Sequence, residues 1–554
     1  MPLNFDSNTT EYLAYVEFQL TGATYRFGTR YATLTDGTAI DGLVTGMTRL
    51  RRSVGSLIDP RLLFPSLSIS LDNKPEQDGS RTQDLLHTYE WANKPALIYV
   101  GQGTDATSYE LIYSGFVKFP GGIAWDEEQG EVLLQDARAK DGRFLPTGTF
   151  TTATYANMEA LKANTPIPIA YGSWLSTDEG ALRVPATQID STAGTGGKFK
   201  IAGHAIKQIE SVFKNGVSVS FSSPNLATAE FVLDVAYDAA AGDVISVHMR
   251  GATDDGTASG DLLVNAADIF NDMLKTHMSV SSSSIDSTAI SNWNAELTAH
   301  DQMRRWIGVE THSDDLIAEL LSEGFADLGV ENGKYYPRYR IVTIGASLPQ
   351  FMEQDIQQLG DNQGLRISVE SAPEEIYANE ILGNYQYDPV GLTYKGRELQ
   401  EDSSAITDKG QRVRRILSLN YLYKAQGAKD RVSRELFVFG GEPEMVTLEL
   451  NERAVVLEPS EQFRLVANKY SETAELGVPF QVRDINTDVN TMTASVTAWN
   501  ILRLATGTWT EDISVTWLTA SAEQRATKGF WTDANGFADT SGSPDANSKA
   551  YRYL

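Results

Sequence analysis

Short runs of alternating apolar and polar residues, closed by turn signals such as Asp-Gly or Asn-Gly, recur along much of this 554-residue chain and point to a mainly β fold. Successive side chains of a strand point to opposite faces, so each run buries one face only. The clearest hairpin lies in the middle. An amphipathic segment over 206–214 meets Asn215-Gly216 and continues as an alternating run from Val217 to Phe221. Asn-Gly at that place marks a two-residue turn, because both turn residues must accept positive φ.

Further strands are expected at 230–234 and 243–250. A helix follows, with Asn265 as its N-cap and Ile269, Met273 and Leu274 on one face. A second helix starts at Ser313, carries Leu316, Ile317, Leu320 and Leu321 at helical spacing, and stops near Gly324. A closing hairpin turns at Asn332-Gly333 into 339–344. Residues 203–345 therefore read as a β-plus-α module with its own core.

The flanks read as mostly strand. Over 1–150, strands are expected at 15–20, 23–27, 67–71, 96–100, 111–118 and 131–135, with turns at Asp36-Gly37 and Asp41-Gly42 and a short helix over 82–91. Strands at this spacing suggest a barrel or sandwich. A connector spans 151–202. Pro166 and Pro168 exclude a helix there, and 193–197 is a glycine-rich loop without the Lys-Ser/Thr of a phosphate cradle. A second β region spans 346–505, with strands at 366–369, 383–387, 413–423, 437–439, 445–450, 463–466 and 491–500. The polar run 398–410 reads as a long exposed loop or arm. Residues 506–554 form a C-terminal extension, rich from about 526 in Gly, Ser, Asp, Asn and Ala, with Phe530, Trp531 and Phe537 scattered through it. Such a segment orders only when docked. The fold class is mainly β with some α, in several domains.

Composition narrows the chemistry. The formal charge of −27 argues against duplex DNA as a ligand, which needs a positive footprint. The same charge lining a passage would repel DNA over about 8 Å at physiological salt and let it slide; kept on the outside, it simply aids solubility. Without cysteine there is no disulfide, thiolate metal site or Cys nucleophile. The N-terminus, Met1-Pro-Leu-Asn-Phe-Asp, lacks the basic and apolar regions of a secretory signal, and no apolar run reaches the roughly 20 residues of a membrane span. The histidines (87, 204, 248, 277, 300, 312) show no zinc-hydrolase spacing. His300 and His312, near Asp301, Asp314 and Asp315, read as surface or cap residues. Asp126-Glu127-Glu128 and Glu374-Glu375 read as solvated turns rather than a glycosidase pair held across a bond. Asp533 to Gly536 with Asp539 departs from a calcium loop. No catalytic residue, metal ligand or cofactor site is expected. Tyrosines beside arginines in the second β region suggest a subunit interface instead, at Tyr385, Tyr387, Arg412, Arg414, Arg415, Tyr421 and Tyr423; cross-strand packing is the other reading of the tyrosines.

Several segments carry a resemblance: I-x-x-I-x-x-V-F-x-N-G-V at 206–217, G-D-V-I-S-V-x-x-R-G at 242–251, N-A-A-D-I-F-N-D-M-L at 265–274, S-I-D at 284–286, N-G-K-Y-Y-P-R-Y-R-I at 332–341, and P-I-P-I-A-Y-G at 166–172. Together they resemble the tail-tip (baseplate) hub proteins of long-tailed bacteriophages, over roughly 110–345. The resemblance implies two tube-like β domains per chain, at 1–150 and 346–505, split by the inserted module. It implies a homotrimer at the distal end of the tail tube, offering six quasi-equivalent positions to a hexameric ring. The implied partners are hexameric distal tail or tube proteins, the tape-measure protein, and tail fibres or receptor-binding proteins. DNA would pass through without specific binding, and there would be no membrane anchor. The place is the virion tail tip, after synthesis in the host cytoplasm, with roles in host attachment and genome ejection. Two alternatives stay open: a virion-associated glycan or peptidoglycan hydrolase using acids such as Asp126 or Glu128, and a host-receptor-binding adhesin using residues 526–554 or the central module.

Overall fold

The computed structural model describes residues 12–53, 66–73, 82–331, 334–340, 348–357, 366–371, 376–440, 444–467 and 477–501, with three short strands beyond, Thr508–Trp509, Lys528–Thr532 and Lys549–Tyr551. The fold is mainly β with a minority of helix. The Asn332-Gly333 turn, Glu374-Glu375 and the Asp533 to Asp539 stretch lie outside the described residues.

Two large sheets flank the middle of the chain, and they share one strand order. The main strands of the first are, in chain order, Tyr12–Leu20, Val44–Met47, Ser66–Asp72, Pro95–Gln102, Glu110–Val117 and Gln129–Asp136. Across the sheet they lie first, fourth, fifth, sixth, third, second. The second sheet uses Gln350–Met352, Ile367–Ser371, Glu444–Leu450, Gln462–Val466, Val478–Asp488 and Thr493–Asn500, again in the order first, fourth, fifth, sixth, third, second. The pairings from fourth through second are antiparallel in both. Only the outermost differs, antiparallel in the first sheet and parallel in the second. A helical turn sits between the third and fourth strands of each, Thr82–Thr88 and Glu452–Ala454.

Each sheet buries the apolar face that its alternation prescribes. Val16, Phe18, Ile69, Ile98 and Val132 build the first core; Val446, Leu448, Phe463, Phe480 and Val496 build the second. The Val478–Asp488 strand was not expected. Its pattern is broken by a bulge between Val482 and Asp484, and Arg483 and Asp484 are tolerated there because both are paired.

Between the sheets, residues 173–250 form two small stacked sheets around Trp174, Phe199, Val212, Phe231 and Val247. The Asn215-Gly216 turn has φ of 51° and 83°, as its two-residue loop between Gln208–Lys214 and Val217–Val219 requires. The connector, where no strand was expected, contributes strands such as Lys198–Lys200 to the same core as the hairpin.

The helices follow: Ala266–Asp272 running into a π turn at Met273–His277, then Ser287–Glu296 and Ser313–Glu323. Ser287–Glu296 was not anticipated; its apolar face is only Ala289, Ile290 and Trp293. Asn265 holds the N-cap position without a side-chain cap bond. The module does not keep a core to itself. Leu316, Ile317, Leu320 and Leu321 pack in one cluster with Tyr385, Tyr421, Leu422, Val438, Phe439 and Trp499 from the second β region.

Two expectations in that region are corrected. Residues 437–439 are not a strand but the end of a helix, Ala425–Gly440. A three-residue apolar run fits either period, and the i, i+4 pair Arg431–Glu435 inside the core decides for the helix. The run 398–410 is not a loop but the end of the Thr393–Glu401 strand followed by the helix Ser403–Lys409. Asp402 caps that helix, accepting from the Ala405 amide at 2.9 Å, and Gly410 ends it at φ 65°.

Candidate assembly interface

All the residues singled out as an interface lie on one three-stranded sheet or the loop beside it. Glu380–Asp388 is central, antiparallel to Thr393–Glu401 and parallel to Arg414–Ser418. One face packs on the Ala425–Gly440 helix, which comes so close that a Cβ on Gly383 would lie 2.7 Å from Val432. The opposite face carries cross-strand rows: Glu401, Glu380 and Arg414; then Leu399, Leu382 and Ile416; then Arg397, Asn384 and Ser418. Leu399 is 48% exposed and Ile416 60%.

The structure separates the seven residues. Arg412 and Arg414 stay half-exposed, and both donate to Glu380, with Arg412 also 2.6 Å from Glu401. Arg414, then Arg412, hold the Glu380 carboxyl below its usual range despite its burial. Tyr387 is half-buried, edge-on to Tyr394 at 5.4 Å. The other four are engaged inside the chain. Tyr385 lies under Gly396, where a Cβ would sit 2.4 Å from its ring. Tyr421 is fully buried and donates to the Leu316 carbonyl at 3.4 Å. Tyr423 stacks on the Arg304 guanidinium at 4.4 Å. Arg415 lies over Phe439 and 3.3 Å from Glu435. For these four, cross-strand and helix packing accounts for the side chain.

A buried charge network runs behind this sheet. Asp327 accepts from Arg340 at 3.0 Å and from both Nη atoms of Arg483. Burial pushes its carboxyl up, but Arg483 and Arg340 outweigh burial and hold it below the usual range. Glu435 sits in the same way among Arg431, Arg340 and Arg415. Glu323 ends the Ser313–Glu323 helix and accepts from the amides of Asn420, Tyr421 and Leu422 at 2.6, 2.9 and 2.8 Å. Burial pushes it up to about 8, against the pull of those amides. Of these pairs only Arg431–Glu435 is one helical turn apart in sequence; the other partners are distant along the chain.

The two large sheets meet at a specific joint. The first sheet's edge strand, Val44–Met47, runs on into Leu50–Ser53, which pairs antiparallel with Val478–Asp488. Arg49 pairs with Asp488 at 3.4 Å and Arg51 with Asp484 at 2.7 Å. Arg52 reaches Glu458 at 2.7 Å, the Val455 carbonyl at 2.9 Å and Thr487 at 3.1 Å. Burial pushes Glu458 up to about 7, with Arg52 opposing. Asn490 accepts from the Met47 amide at 3.0 Å and donates to its carbonyl at 2.6 Å. Val455 and Val489 are buried in the first sheet's core.

Chemistry elsewhere is sparse. Asp126 accepts from the Glu128 and Gln129 amides of its own turn, at 2.8 Å each. His312 caps its helix, accepting from the Asp314 amide at 3.3 Å. A cavity of about 200 Å³ is lined by His204, Thr253, Asp254, Asp255, Asp272 and His277. His204 is buried there, its ring bonded to the Ala170 amide and the Ala205 carbonyl, and burial lowers it to about 4. Among the described residues no three His, Asp or Glu side chains gather to hold a metal, and no helix is long and apolar enough to cross a membrane.

No family model and no curated protein matches this chain. Among solved structures it is similar to the 43 kDa tail protein of prophage MuSo2 from Shewanella oneidensis, at 9% identity over 88% of this chain and 98% of that one, with a TM-score of 0.40. A tail protein from Neisseria meningitidis MC58 is similar at 6% identity over 88% and 96%, TM-score 0.38. A chain of a gene transfer agent virion is similar at 12% identity over 66% and 91%, TM-score 0.38.

Proposed function

We propose that this chain is a structural protein of a bacteriophage tail tip. Three copies form a hub at the distal end of the tail tube, adapt the hexameric tube to a three-fold tip, and let DNA pass. The observation that carries this reading is the strand order repeated in two sheets of one chain. Two look-alike sheets per chain give three copies six similar positions, which is what a six-membered ring above them needs. The joint at Arg49, Arg51, Arg52 and Asn490 supports it, since an adaptor must hold its two sheets in a fixed relation. So do the motifs of the central region, and a charge of −27 that would repel passing DNA. The partners are the distal tail rings, the tape-measure protein and the fibres or receptor-binding proteins. The half-exposed Arg412 and Arg414, with the Leu399–Leu382–Ile416 row beside them, offer one of these a mixed apolar and charged face. The role is mechanical, without catalysis or cofactor.

Native mass spectrometry of the purified chain, and averaged images of particles carrying a label on it, test the reading. The expected result is a trimer placed on the tail axis. A chain that stays single in particles, or lies off that axis, overturns it.

A further inference from the structure

The joint within one chain has an unformed counterpart. In that joint, the connection after the fifth strand of the second sheet docks on the second, edge strand of the first: Asn490 brackets Met47, and Val489 enters the core. The shared strand order identifies the equivalent parts with the sheets exchanged. The connection after the fifth strand of the first sheet is residues 118–128, and the second strand of the second sheet is Ile367–Ser371.

Both parts present exposed apolar side chains, with Ile123–Trp125 of the connection paired to Gln129–Asp136 of its own sheet. Phe119 is 65% exposed and Trp125 41%. Val369 is 45% exposed, and among the described residues Ile367–Ser371 pairs on one side only, with Glu444–Leu450. An edge strand that shows unpaired backbone groups and an apolar side chain is a template for another chain. The charges also match: Asp126 and Glu128 are exposed on the connection, and Arg366 is exposed at the head of the edge strand.

We propose that these surfaces form one interface between copies of this chain, the 118–128 connection of one copy docking on the Ile367–Ser371 edge of the next. The occupant is a second copy because the contact repeats a joint built from this chain's own two sheets. It joins two different surfaces, so it is heterologous and propagates head to tail until the rotation closes a ring. One joint within each chain and one between chains then alternate around that ring. The proposal rests on the hub reading above and specifies how its ring closes.

A chain without cysteine makes the test direct. Oxidation of the Phe119→Cys/Val369→Cys double variant is expected to give a covalent ladder that ends at trimer on a non-reducing gel. Mixing the two single variants is expected to give dimers only. Phe119→Asp and Val369→Asp, each at an exposed position, are expected to weaken association about tenfold or more in sedimentation while leaving the far-ultraviolet circular dichroism of the folded chain unchanged. A wild-type trimer that neither substitution weakens and that yields no cross-link overturns this interface and leaves the hub reading standing. A wild-type chain that is monomeric at every concentration removes both.

Discussion

Asp327 shows how much of this molecule depends on single buried charges. Its carboxylate is 1% exposed, holds two guanidinium groups from separate elements, and ties the Ala326–Glu331 strand to the second sheet. Asp327→Asn leaves Arg340 and Arg483 without their counter-charge, and urea unfolding at neutral pH is expected to show a loss of about 3–5 kcal/mol. The pH dependence has a definite sign. Folding lowers this pKa, so below the ordinary value of 3.8 the unfolded chain binds the proton more readily. The stabilisation is complete above that value and lost as pH falls through the lower, folded one. Unfolding midpoints between pH 2 and 5 should therefore fall less steeply in the variant than in the wild type. None of this pairing was legible in sequence, because Asp327 and Arg483 are 156 positions apart and each alone reads as a surface charge.

Elements were legible where one periodicity ruled and both neighbours were local. The 67–71 alternation and the Asn215-Gly216 hairpin formed where expected, because side-chain alternation and turn chemistry agree there. Residues 437–439 misled because three apolar residues fit either period, and 398–410 because a strand with one solvated face and a seven-residue helix look like polar loop. Two hairpins also show that similar turns have different fates. Asp388 to Thr393 and Asp488 to Thr493 are both turns in which the Asp accepts from the amide two residues on, at 3.0 Å, and both have positive φ at the fifth residue, Leu392 and Met492. The first turn leaves Leu392 71% exposed; the second is docked on the first sheet. Asn490→Ala removes both bonds to Met47 and is expected to lower stability by about 1–3 kcal/mol, with faster hydrogen exchange at the Met47 amide. Val390→Ala, at the matching position of the free turn, should stay within about 0.5 kcal/mol. Equal losses at the two positions would mean that docking of the second turn adds nothing.

At the scale of the whole molecule, the question is whether two sheets of the same strand order behave as one body. Short alternating strands showed that two β regions existed. The order in which strands pair was hidden, because it is set by contacts across tens to hundreds of residues rather than by local pattern, as in the pairing of Ser53 with Asp484. That pairing crosses between the sheets, and Arg52 lies at its centre, bonded to a carboxylate, a carbonyl and a hydroxyl of the second region. If the joint couples the sheets, the wild type loses both in a single thermal transition by calorimetry and by near-ultraviolet circular dichroism. Arg52→Met keeps the apolar stem but leaves Glu458 largely buried without its cation, a loss of about 3 kcal/mol at the joint. Because that loss falls on the coupling and on neither core, the transition is expected to split in two, the lower one shifted down by roughly 10 °C. Glu458 sets the pH at which this is seen. Burial raises its pKa to about 7, so below neutrality the carboxyl takes up a proton and the missing cation matters less. The split should therefore be widest at pH 8 and narrow toward pH 6. A variant that still melts in one step at pH 8 would mean that the sheets are held together elsewhere, through the shared apolar contacts of Val455 and Val489 rather than through charge.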